Sequence, residues 1–131
     1  MRIMVDTNIL VSSMINDHSQ ASRALAKAMN EHTLVICTYI LDELQNVFKR
    51  KFPNKSACLD VFLSNLAFEL CYTPKINPDT PKMRDENDRP ILQVAIDADI
   101  DAILTGDNDF HALNIERPVI ISPADVLTGI N

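Results

Sequence analysis

Short, mostly apolar segments alternate with amphipathic helical segments along the whole chain, and this alternation constrains the fold more than any other feature. The predicted strands are 2–6, 33–38, 68–73, 101–105 and 118–122. Strands without a polar face must be covered on both sides, which favours a parallel sheet between two helical layers. The sequence therefore predicts an α/β fold, a three-layer α/β/α arrangement around a central parallel sheet of about five strands.

Helical spacing and helix signals define most of the intervening segments. Ser19 and Ser122 are candidate N-caps, and Pro53 stops an apolar stripe that begins near Tyr39. The segment 7–16 is interpreted only as a connection, and the proline-rich segment 74–86 as a loop. The helices are predicted at 19–30, 39–52, 56–68, 89–100 and 122–127.

Composition excludes several classes of protein. With 131 residues, of which 47% are apolar, the chain can bury a core, and we expect a single domain spanning residues 1–131. It contains no apolar run of about 18 residues, and its N-terminus does not resemble a signal peptide, so no membrane association is expected. Its three cysteines are not at metal-ligand spacing and indicate reduced thiols in the cytoplasm.

The charged residues are separated along the sequence. The net charge is −6, which argues against binding nucleic acid through bulk charge. Half of the 18 acids lie between Asp79 and Asp109, whereas basic residues cluster at 49–51 with Lys55 following. A solvated acidic face is the common meaning of such a run. The alternative is an acidic site with a separate basic surface.

Acidic residues follow two of the predicted strands directly. Asp6 ends the first strand, and Asp107 comes two residues after the fourth. Glu43 and Asp88 lie early on helices that start at the same edge of the sheet, and Asp109 is close by. Each could also be a turn, cap or surface residue, and spacing alone does not choose between Glu43 and its neighbour Asp42. Ligands of parallel sheets bind beyond the carboxyl ends of the strands, so these acids are expected to converge there.

Converging carboxylates require neutralisation. Two of them about 4 Å apart repel by ~4 kcal/mol at an effective dielectric of 20, unless protons or cations compensate. An oxygen-only ligand set suits Mg²⁺ or Mn²⁺. One or two such ions can activate a water molecule and stabilise the leaving oxygen of a phosphodiester. The acids therefore indicate metal-assisted hydrolysis.

Four motifs in this order resemble those of PIN-domain nucleases. They are VDTNIL at 5–10, YILDEL at 39–44, RDENDRPIL at 84–92 and LTGDNDF at 104–110, and PVIISPADVL resembles the family's last strand and helix. The likeness is greatest to the bacterial and archaeal toxin components of toxin–antitoxin pairs, related to VapC. It implies a cytoplasmic Mg²⁺- or Mn²⁺-dependent endoribonuclease with RNA as substrate, a cognate antitoxin as partner, and a homodimer.

The resemblance also implies roles for single residues. The catalytic and metal-binding positions correspond to Asp6, Glu43, Asp88 and Asp107. The accessory positions correspond to Asn8, Thr105 and Asp109. Glu86 stands where the family motif has proline, which leaves Asp85 as an alternative to Asp88. We choose Asp88, because Pro90 needs a first-turn position and makes Asp88 the expected cap of that helix.

RNA must be held away from the acids, and basic residues supply the candidates. They are Lys49, Arg50, Lys51 and Lys55, with Arg84 and Arg89 flanking the site. The alternative for 49–51 is a solvated helix end favoured by the helix dipole.

Three other functions compete with the nuclease. A catalytically silent PIN fold that only binds would have lost acids, and all four are present. A haloacid-dehalogenase-type phosphatase would need a second acid where this chain has Asn8. A receiver domain would need an acidic pair near Asp6 and a lysine where Pro123 follows the last strand. The sequence favours the nuclease.

Overall fold

The computed structural model describes residues 1–74 and 78–129 and contains a five-stranded parallel sheet between helices. The strand order is β3-β2-β1-β4-β5, and every neighbouring pair is parallel. This confirms the predicted α/β/α fold. The strands are β1 (Arg2–Val5), β2 (Thr33–Cys37), β3 (Glu69–Cys71), β4 (Ala102–Leu104) and β5 (Val119–Ile121).

The connections are mostly helical. Ser19 accepts a hydrogen bond from the backbone N–H of Ser22, and Ser122 forms a reciprocal capping box with Asp125, so both predicted caps are confirmed. No helix among the described residues has both the length and the apolar character that a membrane span needs. The helices are α1 (Thr7–Ile15), α2 (Gln20–Glu31), α3 (Thr38–Lys51), α4 (Ser56–Asn65), α5 (Arg89–Asp97), α6 (Asn108–His111) and α7 (Pro123–Thr128), with 3₁₀ turns at Pro53–Lys55 and Glu86–Asp88.

Helix α1 was not expected, because the sequence indicated only a connection there. Ile9, Leu10 and Ser13 are buried on its inner face, so a serine interrupts the apolar pattern. The Ser13 hydroxyl donates to the Ile9 carbonyl at 2.7 Å, which satisfies its hydrogen-bonding capacity inside the protein. A local hydrogen bond therefore lets a polar residue occupy a core-facing helical position.

Several other boundaries differ from those expected. Helix α4 ends at Asn65, three residues before the predicted end, and α5 ends at Asp97. Asp99 then adopts a positive φ of 54°, which turns the chain towards β4. In the predicted loop 74–86, residues 75–77 lie outside the described residues, and residues 78–79 form a turn. The short helix α6 was also not predicted.

The register of β1 and β4 positions the carboxyl edge of the sheet. Val5 pairs with Leu104, and both are completely buried between the helical layers. Asp6 and Thr105 are the next residues of the two strands, and the Asp6 backbone N–H donates to the Leu104 carbonyl at 3.0 Å. The two polar segments therefore leave the core side by side.

Candidate active site

Asp6 is a buried carboxylate at the junction between β1 and α1. It is 3% exposed, and Oδ1 accepts a hydrogen bond from the Thr7 backbone N–H at 2.8 Å, which caps α1. Oδ2 accepts from the Thr105 hydroxyl, also at 2.8 Å. Burial raises the pKa of Asp6 to about 6, against these two hydrogen bonds and with a contribution from the charges of Glu43 and Asp107.

Thr105 connects two of the predicted site acids. Its hydroxyl donates to Asp6 and accepts from the Asp107 backbone N–H at 3.0 Å, and its side chain is completely buried. Asp107 in turn accepts from the Asp109 backbone N–H at 2.8 Å, which starts α6. A single threonine thus sets the position of Asp107 relative to Asp6.

Glu43 reaches the same region from α3. Its carboxylate accepts a hydrogen bond from the Thr7 hydroxyl, whereas Asp42 is exposed. Its charge also contributes to the raised pKa of Asp6. The choice between Glu43 and Asp42, which spacing left open, therefore favours Glu43.

The structure distinguishes Asp85 from Asp88. Asp85 is exposed and accepts from the Asn87 backbone N–H at 3.0 Å, so it caps the 3₁₀ turn. Asp88 is 9% exposed and occupies the N-cap position of α5, with Pro90 in the first turn as expected, but its side chain makes no capping hydrogen bond. Asp88 is the last residue of the 3₁₀ turn, so its backbone is already helical. A side chain that caps a helix normally belongs to a residue with extended backbone, which explains why Asp88 does not bond to the N–H groups of α5.

Asp88 belongs to a compact group of carboxylates. One oxygen each from Asp88, Asp107 and Asp109 lie within 4.8 Å of one another. Burial raises the pKa of Asp88 to about 8, with further contributions from Asp6, Asp107 and Asp85. Oδ2 of Asp88 is buried and has no hydrogen-bond partner among the described residues. An unpaired buried carboxylate oxygen is costly, so the group requires a proton or a cation.

These residues fit a hard divalent cation. The donors that converge are carboxylate oxygens, which Mg²⁺ and Mn²⁺ prefer, and neither histidine nor cysteine is among the grouped ligands. The Asp88 oxygen without a partner is a coordination position that no group of the described residues uses. The grouped oxygens of Asp88, Asp107 and Asp109 could therefore hold such an ion. Asp6 and Glu43, which the sequence also predicted as ligands, lie outside this group and accept hydrogen bonds from Thr7 and Thr105.

The raised pKa values predict how the metal-free protein responds to pH. Unfolded aspartates have a pKa near 4, but burial raises the pKa of folded Asp6 to about 6 and that of Asp88 to about 8. The folded state therefore binds more protons in between, and stability should fall as pH rises from about 4 to 8. In EDTA, we expect a lower melting temperature at pH 8 than at pH 5, and a smaller difference in Asp88→Asn. A melting temperature that rises over this range in wild type would contradict the assignment.

A cleft of about 820 Å³ opens from the acids along α3. Arg50 and Lys51 line it together with Asp6, Glu43 and Asp107. The remaining predicted cations of this segment, Lys49 and Lys55, do not line it. Lys49 lines a different cavity between α3 and α4, and the Lys55 ammonium lies 5.9 Å from the centre of the Phe52 ring. The basic cluster of the sequence is therefore divided, and two of its four members line the cleft that contains the acids.

A second cleft, of about 1060 Å³, lies on the other side of the acids. Asn8, Asp85 and Asp107 line both clefts, so the two meet at the carboxylate group. Arg84 lines the second cleft with a largely exposed side chain, 4.0 Å from Asp109. Asn8 is also exposed and free to contact a ligand from either side.

Arg89, which the sequence suggested as an RNA-binding cation, is not available for that role. Its guanidinium donates to the Pro78 and Thr80 carbonyls and pairs with Glu86, and its side chain is 13% exposed. These contacts hold the segment before Asp88 against α5. Arg89 therefore stabilises the loop that precedes Asp88, and little of its side chain is exposed for contact with RNA.

Sequence reasoning missed three residues that shape the site. Thr7 holds Glu43, and the exposed His111 contacts the Thr105 carbonyl through Nε2 at 3.0 Å, beside the loop that carries Asp107. Tyr39 lines the α3 cleft. The position of Thr7 directly after Asp6 was the available signal for the first. The contacts of His111 and Tyr39 depend on tertiary structure, and no local pattern indicated them.

Two solved structures share this fold. VapBC2 from Rickettsia felis, crystallised bound to a DNA fragment from their promoter, matches with a TM-score of 0.72 and 22% identity over 93% of this chain and 98% of that chain. VapC20 from Mycobacterium tuberculosis, described as a Sarcin-Ricin loop cleaving toxin, matches with a TM-score of 0.64 and 15% identity over 86% of this chain and 95% of that chain. At these identities the likeness shows the fold alone. A comparison with curated proteins gives no match.

A sequence model of the PIN domain matches residues 2–109. The matched region begins with β1 and includes all four candidate catalytic acids, with Asp109 as its last residue. It covers well over half of the chain, and it agrees with the order of the motifs and with the parallel sheet. The chain therefore belongs to the PIN domain family.

Proposed function

We propose that this protein is a metal-dependent endoribonuclease that hydrolyses RNA phosphodiesters, and that it is the toxin of a toxin–antitoxin pair. The observation that carries the proposal is the group formed by Asp88, Asp107 and Asp109, with its unpaired buried oxygen. Family membership and the likeness to VapC20, a Sarcin-Ricin loop cleaving toxin, support the same activity. The acids and the two cations that line the same cleft, Arg50 and Lys51, suit a phosphodiester substrate.

Each part of the site has a separate task in this proposal. Asp6, Asp88, Asp107 and Glu43 hold Mg²⁺ or Mn²⁺. When bound, the ion lowers the pKa of a water molecule and stabilises negative charge on the phosphate. Thr105 keeps Asp6 and Asp107 together, and Thr7 orients Glu43. Buried hydroxyl donors of this kind hold the carboxylates in one geometry and reduce their mobility.

The activity is tested by incubating pure protein with labelled RNA in Mn²⁺ or in EDTA. Cleavage in Mn²⁺ that EDTA abolishes is expected. A substrate with a single 2′-deoxynucleotide at the cleavage site should still be cut, because water rather than the neighbouring 2′-hydroxyl is the nucleophile. This substrate also excludes contaminating ribonucleases that use the 2′-hydroxyl. Binding of RNA without any metal-dependent cleavage would instead support the silent binding module.

The cations of the α3 cleft should control the salt dependence of RNA binding. Arg50 and Lys51 line the cleft that contains the acids, whereas Lys49 and Lys55 do not. Each lost contact with a single-strand phosphate lowers the slope of log K against log salt by about 0.7. In an Asp6→Asn background that does not cleave, we expect Arg50→Gln with Lys51→Gln to lower the slope by about 1.4.

The matched control for this measurement is Lys49→Gln with Lys55→Gln, which removes the same charge from the same segment. Its slope should stay close to that of the parent protein. Equal reductions in both double variants would show that net charge alone matters, and would contradict a specific role for the cleft.

The toxin assignment rests on the relatives. The Rickettsia felis structure is of a VapBC2 assembly bound to promoter DNA. We infer that this chain likewise has a protein antitoxin and that it forms a homodimer. Coexpression with the product of the adjacent gene should yield a complex with reduced ribonuclease activity, and light scattering measures the mass of the isolated protein. A monomer that no neighbouring gene product inhibits would contradict this part of the proposal.

A further inference from the structure

Tyr39 is a neutral side chain among the acids of the α3 cleft. It lies one helical turn before Glu43, so both side chains are on the same face of α3. It lines the cleft and is partly buried. Burial raises the pKa of its phenol, and the charges of Glu43, Asp88 and Asp85 raise it further. Tyr39 is therefore protonated at neutral pH and can donate a hydrogen bond.

The cleft needs hydrogen-bond donors if it is to hold a phosphodiester. Six of its lining side chains are carboxylates, which only accept when ionised: Asp6, Asp42, Glu43, Asp85, Asp88 and Asp107. The hydroxyl of Thr7 is already used by Glu43. The neutral donors that line the cleft also include three asparagines and Tyr39. The asparagines, Asn8, Asn46 and Asn87, are exposed, whereas Tyr39 is partly buried and its position is therefore more restricted.

The backbone of Tyr39 is held by the segment that follows β3. Its N–H donates to the Thr73 hydroxyl at 3.0 Å, and Thr38 and Thr73 exchange two further hydrogen bonds. Among residues 1–74 and 78–129, the Tyr39 hydroxyl has no hydrogen-bond partner, and the bond to Thr73 is made by the backbone. The hydroxyl is thus available for a ligand, on a backbone that is already ordered.

We propose that the Tyr39 hydroxyl donates a hydrogen bond to a non-bridging phosphate oxygen of the bound RNA. This inference rests on the proposed ribonuclease function and adds a substrate-binding residue to it. The phenol can approach a phosphate beside the carboxylates without adding another negative charge. Arg50 and Lys51 act further along the same cleft, so Tyr39 holds the strand where it enters the acidic group.

The test compares Tyr39→Phe with wild type on a labelled RNA oligonucleotide in Mn²⁺. The variant keeps the ring and loses only the hydroxyl, so its melting temperature should be unchanged. We expect kcat/KM to fall about tenfold or more, as for the loss of a hydrogen bond to a charged group. The matched control is Tyr72→Phe, because Tyr72 is the chain's other tyrosine and is 79% exposed. It should cleave at the wild-type rate.

A modified substrate separates substrate contact from a structural role. A methylphosphonate replaces one non-bridging oxygen by a methyl group, and oligonucleotides with this change at successive phosphates locate the contact. At one phosphate, the methylphosphonate should lower kcat/KM of the wild type but lower that of Tyr39→Phe little further. This is the signature of a direct interaction in a double-mutant cycle. Additive losses at every phosphate, or full activity of Tyr39→Phe, would overturn the proposal. Absence of cleavage by wild type would refute the ribonuclease function itself.

Discussion

Asp6→Asn should lower the rate of RNA cleavage by two to three orders of magnitude and leave the fold intact. Asp6 lies at the end of the central strand, with one oxygen held by the Thr7 N–H and the other by the Thr105 hydroxyl. Asparagine keeps the oxygen that caps α1, and the Thr105 hydroxyl can rotate to accept from its amide. In the proposed mechanism the change removes a charge that helps to hold the metal, and removal of one preorganised electrostatic group typically costs this much in rate.

Stability shows whether the effect is local. Burial already disfavours the charged form of Asp6, so the neutral asparagine should leave the melting temperature in EDTA equal to or above that of wild type. Asp42→Asn is the matched control, because Asp42 lines the same cleft but is exposed. It should retain most of the activity. Wild-type cleavage by Asp6→Asn at saturating Mn²⁺ would remove Asp6 from the metal site.

The part of the site that depends on sheet topology could be predicted from the sequence. Asp6 and Asp107 come just after apolar strands, and parallel strands end at one edge, so their convergence required only that β1 and β4 be neighbours. The contribution of Glu43 was predictable only in part. Its spacing did not exclude Asp42, and the Thr7 hydroxyl that contacts Glu43 comes from a helix that the sequence did not reveal.

The basic residues show the limit of one-dimensional reasoning. Consecutive helical residues differ by about 100° in direction, so a run of cations is spread over more than one face of the helix. Arg50 and Lys51 reach the cleft while Lys49 lies against α4. Arg89 is adjacent to Asp88 in sequence, yet its guanidinium bonds to backbone carbonyls of the preceding loop and its side chain is largely buried. Which charges are free is set by tertiary contacts, and composition does not contain that information.

Asp88→Asn should remove most of the stabilisation that Mn²⁺ gives to the protein. Its carboxylate is buried beside Asp107 and Asp109, and one oxygen has no hydrogen-bond partner among the described residues. A ligand that binds only the folded state raises the melting temperature, and loss of a coordinating charge reduces that effect. Without metal, the same change removes a repelling charge, so we expect Asp88→Asn to melt at or above the wild-type temperature in EDTA at pH 8.

Asp85→Asn is the matched comparison, because the residue lies three positions earlier and carries the same charge. Asp85 is exposed and caps the 3₁₀ turn, a role that asparagine performs as well as aspartate. The Mn²⁺-induced rise in melting temperature should therefore stay close to wild type in Asp85→Asn. Differential scanning fluorimetry across a Mn²⁺ titration measures both variants directly. If Asp85→Asn abolished the rise and Asp88→Asn kept it, the third acid of the site would be Asp85, and the buried oxygen of Asp88 would have to be neutralised by a proton shared with Asp107.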